Sequence, residues 1–229
     1  MALDINRIQA ICFDVDGTLS DTDDLWVESF ARRFSFLKKI SPQRDVNYLA
    51  RWLVMVMESP GNLVMELFDR LTLDDELARL YNWVMHRKGG RNPKQFWMVP
   101  QGLELLQYCY QRYPLAIVSA RDEKSTHEFL EQFEICHLFK AIMTAQSCTY
   151  TKPFPDPIVK AAELMGVSPA NCLMVGDTTV DVRAGRAAGA QTVGVLCGFG
   201  TEKELKRAGA DLILHDTHEL MAVLKTISK

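Results

Sequence analysis

The sequence lacks the features that most directly mark a secreted, membrane-bound or nucleic-acid-binding protein. Its six cysteines form no CxxC pair, which argues against zinc sites and disulfide frameworks and favours buried, reduced thiols. The net charge of −3 provides no global basic field for nucleic acid or an anionic membrane. The longest strongly apolar run, at 52–57, is far shorter than the roughly 20 residues of a membrane span, and the N-terminus shows no secretory signal. We therefore expect a cytoplasmic globular protein with no nucleic-acid or membrane partner.

Several common ligand-binding loops are also absent. No Walker A sequence occurs, and no GxGxxG opens a helix after a strand. The acidic stretch FDVDGTLSDTDD at 13–24 does not match an EF-hand, which needs glycine sixth and glutamate twelfth. Counted from Asp14, the glycine is fourth (Gly17) and the twelfth residue is Leu25. The aspartates of this stretch therefore need another explanation.

Short apolar segments alternate with amphipathic ones over most of the chain. Helices are predicted at 102–112, 122–133 and 156–166, and a further one from the capping box Thr201-x-x-Glu204 to Gly209. Strands separated by helices indicate an α/β fold with a Rossmann-like, mainly parallel sheet covered on both faces. The predicted buried strands are 8–13, 114–119, 141–145, 172–176, 192–196 and 211–215.

Residues 21–97 interrupt this alternation. They contain three or four helical patterns and no convincing strand, and they end in a basic, glycine-containing stretch at 86–94. The simplest interpretation is a helical domain inserted after the first strand. We therefore predict a core formed by 1–20 and 98–229 and an inserted helical domain at 21–97.

Polar residues follow four of the predicted strands. Open α/β sheets bind ligands beyond the carboxyl ends of their strands, so these residues are the candidates for chemistry. They are Asp14 and Asp16 after the first strand, Ser119, Ala120 and Arg121 after the second, Lys152 after the third, and Asp177 after the fourth.

The aspartates predict a magnesium site. Asp14 and Asp16 are two residues apart, so in extended geometry they project to one side and repel each other unless a cation lies between them. Mg²⁺ suits an all-oxygen site of carboxylates and waters, often bridged to a phosphate. Asp177 would be a further ligand, and Asp181, one helical turn later, would orient it or hold a coordinated water.

The remaining candidates suit an anionic substrate. Lys152 would keep an attacking carboxylate ionised and neutralise phosphate oxygens. The Ser119 hydroxyl and the backbone N–H of Ala120 can bind a phosphate oxygen. Arg121 is either a surface salt-bridge partner or a substrate contact. The basic residues of 86–94 either face the substrate or form a solvated turn; they are Arg87, Lys88, Arg91 and Lys94.

Together these motifs resemble those of the haloacid dehalogenase superfamily. DVDGT at 14–18, Ser119, Lys152–Pro153 and GDTTVD at 176–181 match its four motifs, and 152–211 is similar to the phosphoglycolate-phosphatase-like and beta-phosphoglucomutase-like group. The segment 21–97 has the position of the family's helical cap. One departure is Ser-Ala-Arg, where many close relatives have asparagine after the hydroxyl residue.

The resemblance implies a mechanism. Asp14 would attack phosphorus to form an aspartyl-phosphate, and Asp16 would serve as general acid and then as general base. Asp14, the backbone carbonyl of Asp16, and Asp177 would hold Mg²⁺. The expected function is a Mg²⁺-dependent phosphatase, and the sequence leaves its oligomeric state open, with a monomer as one alternative. Its substrate would be a small phosphorylated metabolite, such as phosphoglycolate or a sugar or nucleotide monophosphate. The alternatives are a sugar phosphomutase and a non-catalytic binding protein on the same scaffold.

Overall fold

The computed structural model describes residues 3–21 and 96–226. The strands in these ranges are β1 Ala10–Phe13, β2 Leu115–Val118, β3 Phe139–Met143, β4 Cys172–Gly176, β5 Gln191–Val195 and β6 Leu212–Leu214. The α-helices are α1 Gly102–Tyr110, α2 Glu123–Gln132, α3 Asp156–Met165, α4 Thr179–Ala187, α5 Glu202–Ala208 and α6 Leu220–Lys225. Short 3-10 turns lie at Ile5–Arg7, Cys136–Leu138, Pro169–Asn171 and Thr217–Glu219.

The six strands form one parallel sheet in the order β3-β2-β1-β4-β5-β6. From β1 the chain forms β2 and β3 toward one edge of the sheet. It then crosses back to form β4 on the other side of β1. This reversal opens a crevice beyond the carboxyl ends of β1 and β4, where such sheets bind ligands. The predicted α/β, Rossmann-like core is confirmed.

Two apolar layers hold the helices against the sheet. On one face Phe13, Ile117 and Val175 pack with side chains of α1, α2 and α6. On the other face Cys12 and Met174 pack with α3 and α4. Because the central strands are buried on both faces, their sequences are continuously apolar and show no alternation.

Capping residues and glycines in the sequence correctly predicted most helix ends. Asp122 caps α2 by accepting a hydrogen bond from the Ser125 backbone N–H at 3.0 Å, as its sequence position predicted. Thr201 and Glu204 form the predicted capping box at the start of α5, and Gly209 ends that helix with a φ of 93°. These ends depend on neighbouring residues alone, which explains why the sequence reveals them.

The third strand differs from its prediction. It spans Phe139–Met143 rather than 141–145, and it alternates between buried residues and more exposed ones, with Lys140 exposed. The physical reason is its place at the edge of the sheet, where one side of the strand faces solvent. The first residues of β3, Phe139 and the exposed Lys140, therefore do not belong to a uniformly apolar run.

The chain divides into two compact units, Met1–Asp21 with Gly89–Lys229, and Thr22–Lys88. Where the chain leaves and re-enters the core, the Asp21 N–H donates to the Trp97 carbonyl at 2.8 Å and the Val99 N–H donates to the Leu19 carbonyl at 3.0 Å. The predicted helical character of 21–97 falls almost wholly outside the described residues and stays a prediction. Among the helices of 3–21 and 96–226, none has the length and apolar character needed to span a membrane.

Candidate active site

Lys152 joins two aspartates in a buried cluster at the crevice. Its Nζ lies 2.7 Å from Asp14 Oδ1 and 2.6 Å from Asp181 Oδ1. Asp14 directly follows β1, and its backbone N–H donates to the Val175 carbonyl on neighbouring β4 at 2.9 Å. The loop between β3 and α3 carries Lys152, so the sheet brings together groups that are 138 residues apart in sequence.

Burial and charge oppose each other at these groups. Burial raises the pKa of the Asp14 carboxyl to about 7, and Asp181 and Asp16 add to this rise while Lys152 counteracts it. Burial alone would lower the pKa of the Lys152 ammonium, but the Asp14 and Asp181 carboxylates raise it above its usual value. The lysine is therefore charged at any physiological pH, and a second cation would favour the ionised form of Asp14.

Three carboxylates converge where a cation could bind. One oxygen from each of Asp14, Asp177 and Asp181 lies within 4.8 Å of the other two, and all three residues are buried. Asp177 is held by the Phe199 backbone N–H, which donates to Oδ2 at 2.8 Å. Three buried, negatively charged oxygen donors beside one ammonium suit a hard divalent cation such as Mg²⁺.

Asp181 serves the site through both of its carboxylate oxygens. Its Oδ1 binds Lys152, while Oδ2 accepts hydrogen bonds from the Thr178 backbone N–H at 3.0 Å and the Thr178 hydroxyl at 2.6 Å. These contacts complete a capping box at the start of α4. The helix end thus fixes the carboxylate that positions the lysine.

The Asp16 carboxylate is not one of the three converging carboxylates and binds Arg121 instead. Both of its oxygens accept hydrogen bonds from the guanidinium, from Nε at 3.0 Å and more closely from the second terminal nitrogen. A metal contact from Asp16 would therefore come from its backbone carbonyl, as the family resemblance implies. The two motif aspartates thus have different cationic partners, Lys152 for Asp14 and Arg121 for Asp16.

The other predicted residues have different surroundings. Ser119 is buried at the end of β2, and its Oγ accepts a hydrogen bond from the Arg121 backbone N–H at 3.1 Å. Ala120, between them, is exposed. Arg91 and the rest of the basic stretch at 86–94 lie outside the described residues, so their predicted substrate contact stays a prediction.

Some site residues were not found from the sequence. Thr18 donates its hydroxyl to Asp177 Oδ1 at 3.4 Å, and the loop after β5 supplies the Phe199 contact to Oδ2. A Cβ added to Gly198 would lie 2.2 Å from Asp177 Oδ2. The glycines of CGFG at 197–200 could have indicated this contact, because glycine after a strand often marks a close approach of the backbone to another group.

Comparisons with known proteins agree with this geometry. The family model described as haloacid dehalogenase-like hydrolase matches residues 11–195. The chain is 27% identical over 223 residues to pyrophosphatase PpaX of Anoxybacillus flavithermus, covering 97% of this chain and 100% of the relative. It is 32% identical over 204 residues to phosphoglycolate phosphatase of Neisseria gonorrhoeae, covering 86% and 83%.

Solved structures show the same fold. A haloacid dehalogenase-like hydrolase from Streptococcus pneumoniae superposes with a TM-score of 0.65 at 25% identity, covering 95% of this chain and 99% of that one. A beta-phosphoglucomutase candidate from Thermotoga maritima has a TM-score of 0.67 at 24% identity, with 96% and 100% coverage. The expectation of a phosphatase-type enzyme is confirmed, and the chain belongs to the haloacid dehalogenase-like hydrolase family.

Proposed function

We propose that this enzyme is a Mg²⁺-dependent phosphatase that hydrolyses a small phosphorylated metabolite through an aspartyl-phosphate on Asp14. The observation that carries the proposal is the difference in partners between the two motif aspartates. Asp14 is buried at the crevice, 2.7 Å from Lys152 and within the acidic cluster. The Asp16 carboxylate is not one of the three clustered groups and is bound to Arg121. One carboxylate is thus arranged as a nucleophile and the other is available for proton transfer.

In the first step an Asp14 oxygen attacks phosphorus, and the bond from phosphorus to the leaving oxygen breaks. Asp16, which enters this step protonated, gives its proton to that leaving oxygen and becomes the carboxylate that Arg121 binds. In the second step Asp16 takes a proton from a water, which attacks phosphorus and releases phosphate from Asp14. Lys152 stays charged throughout, because its pKa is raised, and it stabilises negative charge on Asp14 and on the phosphoryl oxygens.

The proposed metal ligands are Asp14, Asp177 and the backbone carbonyl of Asp16, with Asp181 orienting Lys152 or a coordinated water. Bound Mg²⁺ supplies neutralisation of charge on the phosphoryl group and on Asp14. The donor set supports this choice, because three buried carboxylates beside a single lysine leave excess negative charge. The Ser119 hydroxyl, the Ala120 backbone N–H and Arg91 of the proposed helical cap would bind the substrate.

The names of the relatives add one candidate substrate and support another. The sequence relatives quoted above are named pyrophosphatase and phosphoglycolate phosphatase, so pyrophosphate joins phosphoglycolate and sugar and nucleotide monophosphates as a candidate. Both of these sequence relatives are named as hydrolases, which supports transfer to water over a phosphomutase, although one solved structure of the same fold is named for phosphoglucomutase. A cytoplasmic location remains our expectation.

A panel of phosphorylated metabolites tests this function directly. We expect Mg²⁺-dependent phosphate release from phosphoglycolate, from another small phosphate monoester or from the anhydride pyrophosphate, and no release when EDTA removes the metal. Interconversion of sugar phosphates with little phosphate release would instead support the mutase. Failure to turn over any member of the panel or p-nitrophenyl phosphate would contradict the proposal.

Gly17 offers a sharp test of how Asp177 is held. Its φ is +69°, and an added Cβ would lie 2.4 Å from Asp177 Oδ2. We expect Gly17→Ala to displace that carboxylate and lower Mg²⁺-dependent activity by at least about tenfold, in addition to a backbone cost of about 1–2 kcal/mol. Urea unfolding and Mg²⁺ titration of activity measure the two effects.

Gly166→Ala is the matched control. Gly166 has a φ of +76°, but nothing lies within 4 Å of an added Cβ. This variant should show the backbone cost alone, with an unchanged Mg²⁺ titration. Equal Mg²⁺ titrations for the two variants would show that Gly17 contributes only backbone freedom.

A further inference from the structure

Arg121 makes an ion pair of fixed geometry with Asp16. Its guanidinium contacts both carboxylate oxygens, through Nε and one terminal nitrogen. A two-point contact of this kind fixes the orientation of a carboxylate as well as its position. The sequence alone left Arg121 open between a surface salt bridge and a substrate contact, and only 10% of its side chain is exposed.

An aromatic platform holds the guanidinium. The central carbon of Arg121 lies 5.0 Å from the centre of the Phe96 ring and 6.0 Å from that of Phe129, within the range of cation–π attraction. The two rings pack edge to face, with centres 5.8 Å apart. The arginine therefore has little freedom to leave Asp16 for another partner.

The platform and the arginine backbone are themselves anchored. The Gln132 side chain accepts from the Phe96 backbone N–H at 3.0 Å and donates to the Phe96 carbonyl at 2.7 Å. The Arg121 backbone N–H donates to the Ser119 hydroxyl at 3.1 Å, and its carbonyl accepts from the Ala145 N–H at 2.9 Å. Contacts from β2, α2 and the loop after β3 thus fix Arg121 in one position.

The Asp16 side chain is the more solvent-exposed member of this ion pair. It lies three residues beyond the end of β1, and 26% of its side chain is exposed. A carboxylate on a turn has several accessible rotamers, whereas proton transfer requires one oxygen within hydrogen-bond reach of the leaving oxygen. Each carboxylate oxygen has a second lone pair that the arginine does not use.

We propose that Arg121 is a positioning residue, which holds the Asp16 carboxylate in the orientation needed for proton transfer. The inference rests on the proposed function, because it assigns proton transfer to Asp16. It predicts a dependence on the leaving group. A poor leaving group, an alkoxide, needs the proton from Asp16, whereas p-nitrophenolate leaves without it.

The experiment compares kcat/KM, which reports steps up to formation of the aspartyl-phosphate, for p-nitrophenyl phosphate and for phosphoglycolate. We expect Arg121→Gln to lower the phosphoglycolate-to-aryl ratio about 100-fold, within the range for loss of general acid catalysis. Arg121→Lys keeps the charge but contacts one oxygen only, and should lower the ratio by at least about tenfold. Arg112→Gln is the control, since Arg112 also stacks on an aromatic ring, 3.9 Å from the centre of Tyr108, and should leave the ratio unchanged.

The outcomes separate the possible roles. An equal loss for both substrates in Arg121→Gln would overturn the positioning role in favour of phosphate binding or a purely structural role. A wild-type ratio in Arg121→Lys would show that charge matters and the two-point geometry does not. Absence of Mg²⁺-dependent turnover of both substrates by the wild-type enzyme would overturn the proposed function, and the positioning role with it.

Discussion

Replacing Asp14 with asparagine is expected to abolish turnover of every substrate, including p-nitrophenyl phosphate. The amide has nearly the same shape as the carboxylate but is a poor nucleophile toward phosphorus, so no aspartyl-phosphate can form. Removal of a nucleophile in a covalent mechanism commonly lowers kcat by at least about 10⁴-fold. Phosphate release in the presence of saturating Mg²⁺ measures the loss.

The matched control for this variant is Asp211→Asn. Asp211 is also a partly buried aspartate, and its Oδ2 accepts a hydrogen bond from the Thr192 backbone N–H at 2.9 Å. It lies at β6, away from the acidic cluster, so the same change should leave kcat unaltered. An Asp14→Asn enzyme that retained the wild-type rate would rule out Asp14 as the nucleophile.

Lys152→Met is expected to cause the largest loss of stability. The ammonium is the shared partner of Asp14 and Asp181, and all three groups are almost fully buried. Removing one member of a buried ion pair leaves uncompensated charge and typically costs about 3–5 kcal/mol. Urea unfolding without metal should show this loss, and phosphate release should fall as well because Asp14 and the phosphoryl oxygens lose their cation.

The sign of the pH dependence adds a second readout. The folded-state pKa of Asp14, about 7, already exceeds its ordinary value of 3.8, and loss of Lys152 would raise it further. A carboxyl with a raised folded-state pKa contributes most stability in acid and loses that contribution as pH rises through the folded pKa. The variant should therefore be most destabilised relative to wild type at pH values above about 7.

Lys124→Met controls for removal of a lysine that is also ion-paired. Lys124 lies 3.7 Å from Glu128 on α2, but 80% of its side chain is exposed, so solvent screens the pair. We expect no measurable change in unfolding. If Lys152→Met unfolded at the same urea concentration as Lys124→Met, the buried ion pairs of Lys152 would not contribute to stability as predicted.

The core of the fold could be predicted because its strands and helix ends are marked by short stretches of the sequence. Uniformly apolar runs marked the central strands, and capping residues such as Asp122 and Thr201 marked the helix starts. The edge strand β3 was misplaced by two residues, because its exposure is set by its place in the sheet rather than by its own sequence. The helical character predicted for 21–97 is still to be tested.

The residues of the candidate site could be predicted where charged side chains directly follow the strands of the sheet. The convergence of Asp14, Lys152, Asp177 and Asp181 followed from parallel strands that end at one edge. The pairing of Asp16 with Arg121 could not be deduced, since it depends on the side-chain direction of Asp16 and on the Phe96 and Phe129 rings. Nor did the strand pattern indicate that Asp177 would be held by the loop after β5.

Detection of the covalent intermediate tests directly whether Asp14 is the nucleophile. The enzyme is mixed with Mg²⁺ and its best substrate, quenched in acid within the first turnover, and digested with pepsin in acid, where an acyl phosphate survives. Tandem mass spectrometry then examines the peptide that contains Asp14. We expect one phosphoryl group on Asp14, removable by hydroxylamine and missing from Asp14→Asn. Turnover with no phosphorylated aspartate at any quench time, or with the phosphoryl group on another residue, would contradict this expectation.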